Sequence, residues 1–355
     1  METGPAPDAA AAPPARRLIP FEFRATGSEY FRIWIVNLLL TLLTLGIYSA
    51  WAKVRRLRYL YGNTYLEGTA FEYHGQPLQI LKGRLIAVAA LAIYWLVSTF
   101  WPLLSLLLLI PFLAAVPWVV VRSRMFQMHM SSWRNIRFRF TGTYREAFVA
   151  YVVWAIAAGL SFYILAPVWI YKRVHYLLSN TSYGTEPVAF NTTLGTYYKF
   201  CLITFLLSVI ALVGLSMGLA TITAMLQAGS ADATIITVAV PLGLTALLVA
   251  LTITAYYESS FINAAYDGLR PGPHQVHCEM RAGRLAWIYI TNALGMMLTL
   301  GLFFPWAKIR RLKYQFDCMQ LNAVGSLDEF SAAAAPKTSA TGEAIGEAFE
   351  IEFGL

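Results

Sequence analysis

From Leu85 to Val121 the chain carries no Asp, Glu, Lys or Arg. At ~1.5 Å per residue a helix of that length far exceeds a hydrocarbon core of ~30 Å, so the run must fold into two passes. Further charge-free runs cover Ile33–Ala52, Ala147–Tyr171, Phe200–Ala231, Ala233–Tyr257 and Leu285–Ala307. Each meets the roughly twenty-residue requirement of a spanning helix. Only 13% of the 355 residues are charged, where a soluble domain carries about 25%. The runs lack the alternation of lipid-facing strands, which excludes a porin-like barrel. The fold class predicted is an α-helical polytopic membrane protein.

Two seams repeat. TLGIYSAWAKVRRLRY (44–59) returns as TLGLFFPWAKIRRLKY (299–314), and Asn37 and Asn292 stand at matching places before Trp51 and Trp306. Weaker echoes are Trp169, Lys172, Arg173 and Tyr176, and Trp118 with Arg122. In AYYESSFINAAY, Glu258 and Ser259 replace the expected basic pair. Before each apolar block lies a short segment such as FEFRATG, FEYHG or FRFTG. Its alternation reads as an extended, β-like connection outside the membrane. Five pseudo-repeats then occupy residues 20–330. Residues 1–19 read as a disordered Ala/Pro-rich tail, and 331–355 as a flexible tail ending in acidic, aromatic FEIEFGL. That ending is expected to add to the strand layer and face the basic connections.

Connections 53–84, 122–145, 172–199, 270–284 and 308–313 are basic, while the breaks near Pro102 and Gly229–Asp232 hold no Lys or Arg. The positive-inside rule puts the basic connections in the cytoplasm. This conflicts with blocks 33–52, 147–171 and 285–307, each one span long. The expectation is about seven passes with a cytoplasmic C-terminus. The alternative is re-entrant helices broken at Thr44-Leu45-Gly46, Gly159 and Thr299-Leu300-Gly301, tolerated where protein or water satisfies the backbone.

On a helix Trp51, Arg55 and Tyr59 share a face, as do Trp306, Arg310 and Tyr314. The plainer reading is a topological anchor at headgroup level. The sharper one is a lipid-headgroup or anion site formed by Trp51, Lys53, Arg55, Arg56, Tyr59, Trp306, Lys308, Arg310, Arg311 and Tyr314. Asn37 and Asn292 are either helix-packing amides or a polar pair lining a cavity. No ionisable group sits deep in the runs, which weighs against a coupled transporter. His274, His277 and Cys278 match no strong metal spacing, and the three cysteines form no disulfide framework. No catalytic constellation, cofactor motif or metal site is expected, and the chain is not read as an enzyme. The formal charge of +8 follows the membrane flanks and does not point to nucleic acid. The partner implied is a bilayer with anionic headgroups; protein partners stay open.

The stretch from FEFRATG to FEYHG (21–75), the later YYESSFINAAY, then WIYITNALGMMLTLGLFFPWAKIRRLKY and the acidic aromatic ending resemble the YjgN-type bacterial inner-membrane proteins. The resemblance implies a multi-pass protein of the inner membrane and leaves its function open. A transport or channel-like role is placed slightly ahead of a non-transporting, lipid- or partner-binding scaffold. A continuous polar cavity joining Asn37, Thr41, Asn292 and Thr299 would favour transport, and a packed interior the scaffold.

Overall fold

The computed structural model describes residues 16–335. A strand–helix–helix–strand order runs through it five times. The first unit is β1 (Arg16–Phe23), α1 (Gly27–Leu43), α2 (Ser49–Gly62) and β2 (Thr64–Leu66); the second is β3 (Thr69–Tyr73), α3 (Pro77–Phe100), α4 (Pro102–His129) and β4 (Ser131–Trp133). The third holds β5 (Ile136–Phe140), α5 (Tyr144–Phe148), a π-helical turn at Val149–Val153, α6 (Trp154–Leu160), α7 (Ala166–Ser179) and β6 (Thr181–Tyr183). The fourth is β7 (Glu186–Phe190), α8 (Leu194–Gln227), α9 (Asp232–Asp267) and β8 (Leu269–Pro271). The fifth is β9 (Gln275–Cys278), α10 (Ala282–Leu298), α11 (Phe304–Asp317) and β10 (Met319–Val324), and α12 (Leu327–Ala334) follows.

The short extended segments form one sheet, not separate connections. Its ten strands, among the described residues, run in the order β8-β7-β6-β5-β4-β3-β2-β1-β10-β9, with every pair antiparallel. The two ends of that order, β8 and β9, are joined through residues 272–274, so the sheet curls into a nearly closed barrel. Strands of different units meet at tight turns. At Glu67-Gly68 and Arg134-Asn135 both central residues have positive φ, the primed-turn geometry that matches strand twist. β1 starts at Arg16, so the sheet takes in residues 16–19 that the sequence assigned to the tail. The acidic ending at 346–355 lies outside the described residues.

Alternation sends Phe21, Phe71 and Phe138 into the barrel, where Phe21–Phe71 and Phe71–Phe138 centroids lie 6.5 and 6.4 Å apart. Trp133 and Tyr183 complete the aromatic fill. Across the hairpin-turn end lies α12, which crosses the expected domain limit at residue 330. Its Phe330 stacks on Tyr183 at 5.6 Å and meets His274 edge-on at 4.5 Å. Asp328 pairs with Arg134, which also holds Glu67, and Ala334 O accepts from Thr185 N–H at 3.0 Å.

The expectation of about seven membrane helices is corrected. Four helices among the described residues, α3, α4, α8 and α9, are long and apolar enough to cross a membrane. The three blocks taken as single spans are each bent double: 33–52 falls on α1 and α2, 147–171 on α5 to α7, and 285–307 on α10 and α11. Their first arms cover about 11–14 apolar residues, or roughly 15–20 Å of helix, close to the ~15 Å depth of one leaflet, and their returning arms about 4–6 before the basic residues begin. An apolar run long enough for one span is also long enough to enter and leave a single leaflet, and composition does not separate the two.

Such a bend leaves backbone groups at two helix ends to be satisfied. All three bends satisfy them alike. Gly46 N–H donates to Thr41 O at 2.8 Å, Gly301 to Met296 O at 2.7 Å and Tyr163 to Ala158 O at 2.8 Å, the long bond of a Schellman motif. Leu45 and Leu300 hold φ of 49° and 50°. The hydroxyl at the bend then joins both helices: Thr44 Oγ1 donates to Leu40 O and accepts from Tyr48 N–H at 2.9 Å. Thr299 does the same for Gly295 O and Phe303 N–H, and Ser161 for Ala158 O and Leu165 N–H. Leu45 and Leu300, each 95% exposed, project from the tips. Replacing Thr299 with Val, which keeps the shape and removes the hydroxyl, is expected to cost about 1–2 kcal/mol. Thermal unfolding in detergent, compared with Thr221→Val on the exposed side of α8, whose hydroxyl bonds only to Met217 O in its own helix, measures it; equal losses would remove the capping role.

A basic seam where the last unit meets the first

Each second helix packs on the first helix of the next unit, and α11 closes the ring on α1. That closure is aromatic. The Trp306 ring occupies the space where a Cβ on Gly27 would sit, and it stacks on Phe31 at 4.9 Å. Only glycine permits this approach of ring to helix. Trp34 meets Phe304 across the same interface at 6.1 Å. Trp306 is therefore an inter-unit contact, while Trp51 stacks within its own hairpin on Tyr48 at 6.2 Å.

The seam tyrosines fasten the hairpin bases. Tyr59 Oη accepts from Thr26 N–H at 3.0 Å and lies 3.0 Å from the Glu29 carboxylate. Tyr314 Oη accepts from Arg281 N–H at 2.8 Å, and Tyr176 donates to Thr143 O at 3.2 Å. Each phenol spans the same sequence distance, from the last turns of a second helix to the N-terminus of its partner. Tyr59 and Tyr314 thus each accept from an N–H at a helix start that lacks an intrahelical partner, and Tyr176 shares the cap carbonyl of Thr143 with Ala147 N–H.

Asn292 ties α10 to α11: Nδ2 donates to Ala307 O at 3.2 Å, and Oδ1 accepts from Arg310 at 2.8 Å. Arg310 also donates to Thr291 Oγ1 at 3.2 Å. Asn37 is buried with its Oδ1 unpartnered, and its positional counterpart of Arg310, Arg55, is exposed. Thr41 bonds back to Asn37 O within α1. Two clefts were found beside these elements. One of about 480 Å³ lies at the bases of α8 and α9, lined by Lys199, Asn263 and Asp267 among others. The other, about 570 Å³, is apolar and includes Thr299 and Trp306. Neither contains Asn37 or Asn292. His274 and His277 face apart, His274 Nδ1 accepting from Val324 N–H and His277 pairing with Asp267 at 2.6 Å.

The remaining basic residues gather into one chain of neighbours. Arg84 and Arg56 both act on Lys53, and Arg56 and Arg311 both act on Lys308. Lys308 stands over the ring of buried Tyr30 at 5.7 Å, a cation–π contact. Arg84 donates to Ser49 Oγ. Arg311 pairs with Glu258 of α9, which also accepts from the Tyr289 hydroxyl. Glu258 is the carboxylate that touches this group among the described residues. Sequence reasoning singled out Lys53, Arg56, Lys308 and Arg311 but missed Arg84, Tyr289 and the role of Glu258. The signal was position: Lys53, Glu258 and Lys308 stand at equal distances from the ends of α2, α9 and α11.

Burial, then repulsion from Arg84 and Arg56, pushes Lys53 down. Burial, then Arg56 and Arg311, pushes Lys308 down to about 8. The family follows from the sequence that builds this arrangement: residues 18–348 match a family described as "Bacterial protein of unknown function (DUF898)". The chain belongs to that family. It is 34% identical over 149 residues to the inner membrane protein YjgN of Escherichia coli O157:H7, covering 41% of this chain and 37% of that protein. The same protein of Salmonella typhimurium LT2 is 31% identical over 156 residues, covering 42% and 39%. The matched region thus spans well under half the length of these DUF898 relatives. No solved structure matches.

The lowered Lys308 has a pH consequence. Between about 8 and its ordinary 10.5, the unfolded chain keeps a proton that the folded chain has released, so stability rises with pH across that window. In detergent, the unfolding temperature of the wild type is expected to climb from pH 8 to pH 10 relative to Lys308→Met. Parallel curves for the two proteins would contradict the assignment.

Proposed function

We propose that this DUF898 protein is a multi-pass scaffold of the inner membrane that grips the anionic leaflet and does not transport. The observation that carries it is the return of all five helix pairs to one continuous sheet, whose lumen is filled by Phe21, Phe71, Phe138, Trp133 and Tyr183 and covered by α12. Its strands, three to eight residues long, fall short of the ~9–11 residues a strand needs to cross hydrocarbon, so the one hydrogen-bonded sheet lies on one side. The Lys/Arg-rich strand side is then cytoplasmic by the positive-inside rule, and α12 lies with it. The names of the relatives support the inner membrane.

In this reading α3, α4, α8 and α9 cross the bilayer, while the three bent hairpins dip only into the cytoplasmic leaflet. Basic residues on the second helices lie near the headgroups, where each adds about 1 kcal/mol of attraction to anionic lipid. The partner is the bilayer, with no nucleic acid and no catalysis. The transport reading gains no support from the two clefts described above, neither of which includes Asn37 or Asn292.

Single cysteines in a cysteine-free background test this directly. Cysteines at Gly68, Asn135 and Thr185 are expected to react only from the cytoplasm, one at Ser230 only from the other side, and one at Leu300 from neither until detergent is added. Opposite sidedness of Asn135 and Thr185 would defeat the one-sided sheet, and flux of a solute through vesicles carrying the protein would defeat the scaffold.

A further inference from the structure

The basic chain at the seam has more charge than the fold uses. Lys308 stands over Tyr30 of α1 at 5.7 Å, the Tyr30 ring stacks on Tyr59 of α2 at 5.9 Å, and Arg84 reaches Ser49 one turn before Lys53. Arg84 and Arg56 repel Lys53, and Arg56 and Arg311 repel Lys308, yet Glu258 answers only Arg311. Lys53, Arg56 and Lys308 have no carboxylate partner among the described residues. They are half-buried, so water alone screens them poorly, and like charges in such a site raise the affinity for an anion.

Position narrows the anion. Glu258 stands on α9 at the level that Lys53 takes on α2 and Lys308 on α11. A carboxylate already sits here and satisfies one guanidinium and one phenol. The three open cations converge from two helices, α2 and α11, and a tetrahedral phosphate presents its oxygens in more directions than a planar carboxylate: an Arg fork can take two oxygens while the ammonium groups approach from the sides. Above the cations rise Leu42, Leu43, Leu298 and Leu300, all exposed, so an acyl chain attached to that phosphate meets apolar surface.

The geometry points to a phosphate site formed by Lys53, Arg56 and Lys308, with Glu258 as the resident carboxylate that holds Arg311 aside and limits its affinity. The assignment deepens the leaflet-gripping reading and rests on it for the placement of the cations at headgroup depth. The phosphate comes either from a lipid headgroup or from solution.

The full-length protein, purified in detergent and reconstituted into phosphatidylcholine nanodiscs, is titrated with phosphatidylglycerol and, separately, with inorganic phosphate. Saturable binding of one probe is expected, weakened about tenfold or more in Lys53→Gln/Lys308→Gln, retained in Lys308→Arg, and tightened in Glu258→Gln. Phosphatidylglycerol that millimolar phosphate fails to displace identifies a lipid headgroup; phosphate binding without lipid retention identifies the soluble anion. Binding of neither probe overturns the site, as does a Lys53→Gln/Lys308→Gln protein that stays folded by circular dichroism and binds as well as wild type. Cysteine sidedness is read on the same proteins, so a scaffold that is correctly placed but binds no phosphate is told apart from one that is wrongly placed.

Discussion

Antiparallel pairing of strands from neighbouring units dictates the rest of this molecule. Each strand pairs its backbone with strands of the neighbouring units in one continuous sheet, so each helix pair must return to the level it left. The barrel therefore acts as a fixed base from which five hairpins rise. Their lengths can differ without disturbing it, because a hairpin of any height returns its second strand to the same place. That freedom lets two units extend to α3–α4 and α8–α9 while three stop short.

The short units solve the harder physical problem. A bend inside hydrocarbon exposes carbonyls at the end of one helix and N–H groups at the start of the next. A hydroxyl placed between them answers one of each, and Thr44, Ser161 and Thr299 do so. The cost is a left-handed residue, Leu45 or Leu300, followed by a glycine that takes the same handedness freely. The base of each hairpin is secured separately by a tyrosine, Tyr59, Tyr176 or Tyr314. Top and bottom are thus locked by side chains whose hydroxyls meet backbone.

Much of this was legible in the sequence. The apolar runs located the helices, alternation located the strands, and the TLG–Trp–Arg–Tyr spacing located the seam. The depth of the hairpins was not, because an uninterrupted apolar stretch such as Ile33–Ala52 has the same composition whether it crosses or turns. Thr-Leu-Gly carried the missing information: a threonine cap, a helix-ending glycine and no charge. The closed sheet was harder still. Three-residue strands such as Thr64–Leu66 and Ser131–Trp133 are too short to show a period, and their pairing rests on turns such as Arg134-Asn135 that contain no glycine. The seam residues read as lipid anchors divide by function in the fold: Trp306 fills a gap at Gly27, Tyr59 and Tyr314 bind backbone, and Arg310 holds Asn292.

Those divisions make the charge reversal at Glu258 intelligible. A ring of five similar units places equivalent side chains of neighbouring helices close together, so a basic residue at every equivalent position would crowd like charges around one level. At this position the second and third units carry Val120 and Ile170 and the fourth a carboxylate, and the fifth unit's Arg311 and Tyr289 close on it. One acid stabilises one arginine and leaves the two lysines and Arg56 to repel one another, as the lowered Lys53 and Lys308 register. A fold that needed only to stand would gain by placing a second acid there. Keeping the cations crowded and half-buried costs stability that an incoming anion returns, and that coupling is the physical mark of a binding surface rather than of an anchor.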